Sequence, residues 1–137
     1  MTARRSWLGP LATPDHPPMS LRNGRTHGIL ATVVEPAFDS RSRRRGLLGR
    51  DGLPAGHSVV LAPCNAVHTF FMRFAIDVVF VRHTGEVVRI AHDVRPWRIA
   101  LSVRAHAVVE LPSGVALATG VRAGDVLELV VRGASAD

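Results

Sequence analysis

The sequence feature that most constrains the fold is the apolar stretch at residues 67–81, which reads VHTFFMRFAIDVVFV. It holds four of the five Phe of the chain among several β-branched residues, a composition typical of strands rather than helices. We interpret the stretch as two extended segments, residues 67–73 and 76–81. Because both alternating faces of the second segment are apolar, it predicts a strand in the core.

Shorter apolar runs bounded by Gly and Pro recur through the rest of the chain. They predict strands at residues 29–34, 58–62, 87–91, 107–111 and 126–131. Asp39 or Ser40 offers an N-cap for a helix through Leu48, and a second helix is predicted over residues 112–119. The fold class predicted is mostly β (α+β), with a small barrel-like sheet of six or seven short strands and two short helices.

The chain length of 137 residues fits one domain. Residues 1–27 contain four Pro and lack a regular hydrophobic period, which predicts a disordered N-terminal tail with Met19 as an alternative start to Met1. The domain is then expected to span residues 28–132, followed by a short C-terminal tail at residues 133–137.

The apolar runs and the cysteine content indicate the cellular compartment in which the protein is expected. No run approaches the roughly 18 apolar residues of a transmembrane helix. Cys64 is the only cysteine, which excludes an intrachain disulfide and a four-thiolate zinc site and favours a reducing compartment. The N-terminal residues also lack a signal-peptide core. We therefore expect a soluble, cytoplasmic protein.

The net charge of +6 comes from 17 basic residues that are all Arg. A nucleic-acid-binding protein usually concentrates its basic residues on one face. Here they are spread from Arg4 to Arg132, with a single cluster at residues 41–45. Weak nucleic-acid association through arginines is thus retained only as an alternative, and nucleic acid is not the expected partner.

Asp77 lies inside the predicted core strand of residues 76–81. A buried carboxylate is costly unless it is paired or hydrogen-bonded, so Asp77 requires a partner. It either forms a structural ion pair, caps backbone N–H groups, or has a ligand-binding or acid–base role. The residues predicted to form structural pairs are Arg45, Arg50, Arg73, Asp77 and Glu110.

His68 alternates with Phe70 and Met72 and should therefore face an apolar surface. It is interpreted either as a neutral core histidine or as a site residue. Together with Cys64 and Asp77 it supplies the thiol, imidazole and carboxylate of nucleophilic catalysis. However, nothing near Cys64 apart from the imidazole would lower the pKa of the thiol, so no catalytic residue is assigned.

A metal site could combine Cys64, His68 and one further histidine. The candidates for that third ligand are His83, His92 and His106. Their spacing matches no known metal-binding signature, so we predict neither a metal site nor a cofactor.

Residues 92–106 form a connection longer than is usual in compact domains, and such loops are often functional. Within it, Trp97 beside Arg95 and Arg98 could stack on a flat ligand or bind an anion. Alternatively, Trp97 closes one end of the barrel as a core residue. The predicted ligand-binding residues are His68, Met72, Asp77, Trp97 and Arg98.

Several motifs occur in series between residues 28 and 131. They are RGLLGR at 45–50, His68-Thr69, Met72-Arg73, IDVVF at 76–80, Glu110-Leu111-Pro112 with Gly114, and Gly124-Asp125. In order and spacing they resemble the domain of unknown function 192 (DUF192) family. The resemblance implies a small, single-domain bacterial or archaeal protein with a mostly β, barrel-like fold and no established activity. The chain departs from many relatives at His68 and at Ala75, where an aromatic residue and a proline are common.

The polar constellation required for a named reaction is missing from the sequence. We therefore predict a non-catalytic accessory protein that binds a small anionic or aromatic ligand or a protein partner, as a monomer or weak dimer. One alternative is an enzyme that uses Asp77 and His68 as an acid–base pair on a small anionic substrate. The other is the weak nucleic-acid association noted above.

Overall fold

The structure, a computed structural model, describes residues 6–133. The strands are β1 (Met19–Asn23), β2 (Ile29–Ala31), β3 (Val33–Ala37), β4 (His57–Leu61), β5 (Ala66–His68), β6 (Ile76–Val81), β7 (Val87–Val94), β8 (Ile99–Leu101), β9 (Ala107–Pro112) and β10 (Leu127–Val131). The α-helices are α1 (Ser40–Arg45) and α2 (Val115–Thr119), and a 3-10 helix spans Gly9–Leu11. Neither α-helix is long and apolar enough to cross a membrane, a finding that covers residues 6–133.

The strands form three separate sheets. The largest has the order β3-β4-β9-β6-β7, with β3 and β4 parallel and the other neighbours antiparallel. A second sheet has the order β10-β1-β2, and β5 pairs with β8 in a two-stranded ribbon. The apolar stretch of the sequence thus contributes the inner strand β6 of the largest sheet and most of β5 in the ribbon.

Strand alternation gives the five-stranded sheet an apolar cluster on each face. On β6, Val79 and Val81 belong to a first core, which also contains residues of β1 and β2. Ile76, Val78 and Phe80 belong to a second core, beneath the ribbon and the turn after α1. All six residues of β6 are buried, which explains why both faces of this strand are apolar apart from Asp77.

The mostly β, α+β class is confirmed, with 40% strand and two short α-helices. The expectation of a barrel is corrected, because the three sheets do not close on one another. The strand number rises from the predicted six or seven to ten within residues 6–133. The additional strands arise where β2 and β3 divide one predicted strand, where β8 lies within the long loop, and where β1 lies in the predicted tail.

The predicted disordered tail is corrected over residues 6–27. Leu8 and Leu11 are buried in the first core, and β1 pairs with both β10 and β2. The apolar side chains of this segment are too few and too interrupted by Pro to show a period, yet each is covered by the sheet. Residues 1–5 and 134–137 of the two predicted tails lie outside the described residues.

A polar network joins the same segment to the final turn of the chain. Asp125 accepts hydrogen bonds from Asn23 Nδ2 at 2.8 Å and from Arg25 Nε at 2.5 Å. The Arg25 hydrogen bond is the main cause that lowers the pKa of Asp125 to about 2. Residues 23–25 therefore belong to the folded domain, although the sequence places its start at residue 28.

Helix α1 is shorter than predicted. Asp39 and Ser42 form a capping box at its N-terminus, as a start at Asp39 or Ser40 implies. The helix ends at Arg45 rather than at the predicted Leu48. Its C-cap, Gly46, has φ 44° and ψ −121°, a conformation that side chains strongly disfavour. The chain turns sharply there and passes over the second core.

Candidate functional site

A cavity of about 320 Å³ lies between the end of α1 and the ribbon strand β5. Its apolar walls come from the second core and from the segments above it. They are Leu47, Leu61, Val67 and Met72. Its polar lining comes from Arg43, Arg44, Arg45, Cys64, His68 and Glu110. The cavity thus combines an apolar wall with a small number of convergent polar groups, as ligand sites do.

Glu110 provides the buried acidic group of this cavity. It lies in β9 between the cross-strand neighbours Val59 and Val78, with only 4% of its surface exposed. Its Oε1 atom is buried and has no hydrogen-bond partner among residues 6–133. Burial raises the pKa of Glu110 to about 7, and the charge of Arg50 opposes that rise. The carboxyl group is therefore close to its titration point at neutral pH.

Basic side chains from α1 border the cavity. Arg43 donates to the backbone oxygens of Phe38 at 2.8 Å and Ala62 at 3.3 Å, which fixes its guanidinium near the cavity. Arg44 Nε donates to Ser40 O at 3.3 Å. No carboxylate in the described part of the chain pairs with Arg43, Arg44 or Arg45. This border is consequently cationic and suits an anionic group.

The Gly46 turn brings the backbone close to Glu110. A Cβ atom placed on Gly46 would lie 3.9 Å from Glu110 Oε1 and 3.6 Å from Arg43 O. Both distances are ordinary van der Waals contacts, so the limit on this position is its positive φ rather than a clash. The turn thus covers Glu110 without donating a hydrogen bond to its unpartnered oxygen.

Cys64 and His68 both line the cavity, but they are not arranged for nucleophilic catalysis. The Cys64 thiol donates to Ala66 O at 3.2 Å. Burial raises the pKa of Cys64, and the charge of Glu110 raises it further. The thiol therefore stays protonated at neutral pH, and the predicted triad of Cys64, His68 and Asp77 is not assembled.

Four aromatic side chains form a continuous row from the mouth of the cavity outward. The ring of His68 stacks on Phe70 at 4.9 Å, Phe70 lies 5.6 Å from Trp97, and Trp97 lies 4.6 Å from Phe71. Trp97 is 54% exposed, so it is not the core residue that one prediction considered. His68 is the member that belongs to both the cavity and this aromatic row.

Buried Thr69 links the turn after β5 to the loop between β7 and β8, the two segments that carry the aromatic row. Its Oγ1 donates to Arg95 O at 2.6 Å and accepts from Arg98 N at 2.9 Å. The backbone N–H of Trp97 donates to Thr69 O at 3.0 Å. These bonds end β5 at His68 and replace the longer strand predicted over residues 67–73 with a turn.

Asp77 is fully buried and serves the backbone. It accepts hydrogen bonds from the N–H groups of Asp93 at 2.8 Å, Gly114 at 3.0 Å and Ala116 at 2.9 Å. Its side chain alternates with those of the second core and so lies on the opposite face of the sheet from His68. The two residues therefore do not form the acid–base pair that the enzyme hypothesis requires.

The arginines predicted to neutralise Asp77 or Glu110 are engaged elsewhere. Arg50 pairs with Glu35 at 2.9 Å, and Arg73 pairs with the exposed Asp51 at 2.6 Å. Within residues 6–133, Arg45 forms no ion pair. The physical reason is that backbone donors already satisfy Asp77, whereas the guanidinium of Arg50 is held by Glu35 and that of Arg73 by Asp51.

The structure divides the predicted ligand-binding residues into three places. His68 and Met72 line the cavity, Trp97 and Arg98 lie on the outer part of the aromatic row, and Asp77 supports α2. Sequence reasoning did not place Arg43, Arg44 or Glu110 at a cavity. One signal was available for Glu110, because it interrupts an otherwise apolar strand just as Asp77 does.

The histidines and acidic groups do not converge on a metal position. In the part of the chain that the structure describes, no group of three or more His, Cys, Asp or Glu is arranged to hold an ion. His83 and His106 instead stack on each other with ring centroids 3.5 Å apart.

Together, the fold and the cavity define a class: a small α+β domain with one buried, unpartnered carboxyl group beside a cationic helix end. The family model that matches is that of DUF192, described as an uncharacterized ACR, over residues 22–129. The chain belongs to this family, and the resemblance found in its sequence motifs is confirmed.

Two solved structures are similar to this chain. One is a protein described as a candidate transcription regulator from Sinorhizobium meliloti 1021, with 24% identity and a TM-score of 0.71 over 80% of this chain and 90% of that one. The other is a protein of unknown function from Novosphingobium aromaticivorans, with 19% identity and a TM-score of 0.70 over 93% and 99%. No curated protein matches the chain. At these identities the likeness shows the fold alone.

Proposed function

We propose that this protein is a non-catalytic binding domain whose cavity beside α1 takes a small anionic molecule that also carries a hydrogen-bond donor. The observation that carries the proposal is the Glu110 Oε1 atom, which is buried beside the cavity without a partner. An unsatisfied buried polar group costs about 1–3 kcal/mol. A hydroxyl or amino group of a ligand would recover that energy, since the carboxyl group accepts in either protonation state.

The anionic part of the ligand follows from the cavity border. Arg44 and Arg45 carry positive charges without a carboxylate partner in residues 6–133, and Arg43 is held nearby by backbone oxygens. A carboxylate or phosphate would accept hydrogen bonds from such guanidinium groups. The apolar wall formed by Leu47, Leu61 and Met72 would contact the carbon skeleton between the two polar ends. A cavity of about 320 Å³ suits a metabolite-sized molecule rather than a polymer.

Native mass spectrometry of freshly purified protein tests this proposal directly. We expect a retained small molecule in the wild type that is lost in Glu110→Leu, which has no acceptor at this position, and in the double variant Arg44→Ala/Arg45→Ala. Glu128→Leu is the matched control, because Glu128 is a half-exposed carboxylate paired with Arg22 far from the cavity. If the retained mass survives Glu110→Leu but not Glu128→Leu, the cavity is not the site.

A defined set of probes extends the test if no molecule is retained. Hydroxy acids, amino acids and sugar phosphates can be compared by thermal shift of the wild type and Glu110→Leu. The proposal expects stabilisation that depends on both ends of the probe, so that an anion without a donor has a smaller effect. Equal shifts in both proteins for every probe would refute it, and co-purified nucleic acid would favour the alternative association through arginines.

The remaining parts of the proposal concern the cellular compartment and the oligomeric state of this domain. A single, half-buried free thiol and a ligand of metabolite size are compatible with the cytoplasm. The cavity is formed by one chain, so a monomer or weak dimer suffices for binding. Sedimentation at several concentrations measures that state.

A further inference from the structure

A second surface of the molecule is independent of the cavity. It is an exposed apolar ledge formed by Phe71, Trp97, Ile99 and Leu101, whose exposed fractions are 72%, 54%, 64% and 50%. In the ribbon, Val67 and Ala100 face one another toward the second core, so Ile99 and Leu101 point to solvent. Scattered apolar residues on a surface need no explanation, but a contiguous patch of large ones marks an interaction site.

The backbone is strained where it presents the two aromatic residues of the ledge. Phe71 has φ 66° and Trp97 has φ 68°, in the left-handed region that side chains disfavour. Each such residue costs about 1–2 kcal/mol, and this strain persists only when the surroundings fix it. Thr69 supplies that constraint through its hydrogen bonds to Arg95 and Arg98. The strained backbone thus holds two exposed aromatic rings in fixed positions. A turn that only connected two strands would not require these conformations.

The charges beside the ledge indicate the chemistry of the partner. Arg98 is exposed and has no acidic partner in the described chain, and Arg95 is 75% exposed with only a distant pairing to Asp93 at 3.9 Å. A second copy docked on the same surface would bring these arginines against one another. A single-stranded nucleic acid would meet Ile99 and Leu101, which offer no face for base stacking. Exposed Trp, Phe and Arg beside aliphatic residues are instead typical of protein interfaces.

We propose that the ledge of Phe71, Trp97, Ile99 and Leu101 docks an extended protein segment whose apolar side chains are flanked by Asp or Glu. The apolar side chains of the segment would cover the ledge, and its carboxylates would pair with Arg95 and Arg98. The ledge borders the cavity along β5, because Ala66 and His68 line the cavity and pair in register with Leu101 and Ile99. None of the four ledge residues lines the cavity itself, so this docking does not require a ligand beside Glu110.

Trp97 fluorescence tests the docking. In a Trp7→Phe background, Trp97 is the only indole, and Trp7 is a half-buried residue against the first core that Phe can replace. The probe is a synthetic peptide of about 12 residues in which Leu and Phe alternate with Glu and Asp. We expect a saturable blue shift of Trp97 emission, and binding weakened about tenfold by Leu101→Ser and by Arg98→Glu.

Matched controls separate docking from general adhesion. Leu117→Ser removes a leucine from α2 that is even more exposed than Leu101, and Arg122→Glu reverses an exposed charge away from the ledge, so neither should change the affinity. Circular dichroism should show that all four variants remain folded. The same peptide with Lys in place of the acidic residues should not bind.

Three results would overturn the proposal. The first is equal binding of the acidic and Lys peptides, or equal loss of binding in Leu117→Ser and Leu101→Ser. The second is quenching by a single-stranded oligothymidine that is stronger than the peptide effect and lost in Arg98→Glu, which would assign the ledge to nucleic acid. The third is concentration-dependent dimerisation abolished by Leu101→Ser, which would assign it to a second copy. Glu110→Gln should leave peptide binding unchanged, so failure of the cavity proposal remains distinguishable.

Discussion

Asp77 and Glu110 are two buried carboxyl groups on neighbouring strands of one sheet, and their surroundings are opposite. Asp77 pairs in register with Leu111, and Glu110 with Val78, so the two residues lie one step apart. Asp77 faces the side of α2 and accepts three backbone hydrogen bonds. Glu110 faces the cavity, and its Oε1 atom accepts none from residues 6–133. Burial of an acid therefore does not by itself mark a site, whereas burial without a partner does.

The two carboxyl groups also differ in what they contribute to the domain. Asp77 connects β6 to the loop after β7 and to the start of α2, so its hydrogen bonds fix elements that are distant in sequence. Glu110 connects nothing, because its nearest neighbours are apolar strand residues and the Gly46 turn. We expect the first to be required for stability and the second to reduce stability while serving binding.

Removal of Asp77 should have the largest effect on the free energy of unfolding. Asp77→Ala leaves three backbone N–H groups without their acceptor, and we expect a loss of about 3–4 kcal/mol. Asp77→Asn retains one acceptor oxygen and should lose about 2 kcal/mol. Urea denaturation measures both, with Asp51→Ala as the control, because a surface ion pair contributes about 0.5 kcal/mol. A loss as small as the control would contradict the scaffold role of Asp77.

Glu110 should make stability fall as pH rises through neutrality. Its pKa is about 7 in the folded protein and near the ordinary value of 4.5 in the unfolded chain. Between these values the unfolded chain has released the proton and the folded protein has kept it, so the free energy of unfolding decreases with rising pH. The contribution is fully present below pH 4.5 and is lost above pH 7, with a size of up to about 3 kcal/mol.

The matched comparison is denaturation of the wild type and Glu110→Gln at a series of pH values. The amide does not titrate, so the difference between the two curves isolates Glu110, and Gln should be the more stable protein at pH 8. Asp77→Asn should not remove the slope. If the wild type and Glu110→Gln change in parallel across this range, Glu110 is not the buried, titrating group that the structure indicates.

The comparison of these two carboxyl groups also shows how much of the structure can be predicted from the sequence. Alternation predicted β6 with its observed bounds, because both faces of residues 76–81 are apolar. It could not predict that residues 69–73 form a turn, since that depends on hydrogen bonds between Thr69 and a loop 26 to 29 residues further on. It also missed β1, whose two apolar residues directly follow a proline-rich segment.

For the candidate site, the sequence predicted that two carboxyl groups are buried, but not which of them has hydrogen-bond partners. Asp77 and Glu110 both interrupt apolar strands, and each was expected to pair with arginine. Which of them has a partner depends on where α2 and the Gly46 turn pack, and this is decided by tertiary structure. His68 and Met72 both line the cavity, but the strand alternation that predicted a shared surface does not hold, because residues 69–73 form a turn. Arg43 and Arg44 were grouped only as part of a charged run.

Substitution of Gly46 should have an effect of intermediate size on stability, and it tests the turn that covers Glu110. Gly46→Ala places a side chain at φ 44°, which should destabilise the protein by about 1–2 kcal/mol without a direct clash. Its Cβ would also approach Glu110, so ligand retention should weaken. Gly49→Ala is the control, since Gly49 has a positive φ but open space around its Cβ position. Equal loss of retention in both variants would show that the turn acts only through stability.

The smallest and most local effect should be that of Glu110 on the rate at which the Cys64 thiol is alkylated. Burial and then the charge of Glu110 raise the pKa of this thiol, so iodoacetamide should modify it more slowly than free cysteine. Glu110→Gln removes the charge and should increase the rate at pH 8 by about twofold, the order expected for one partly screened charge nearby. Asp77→Asn should leave the rate unchanged, because Asp77 lies on the other face of the sheet. An equal increase in both variants would mean that the rate reports loosening of the fold, and the thiol would then carry no information about the charge of Glu110.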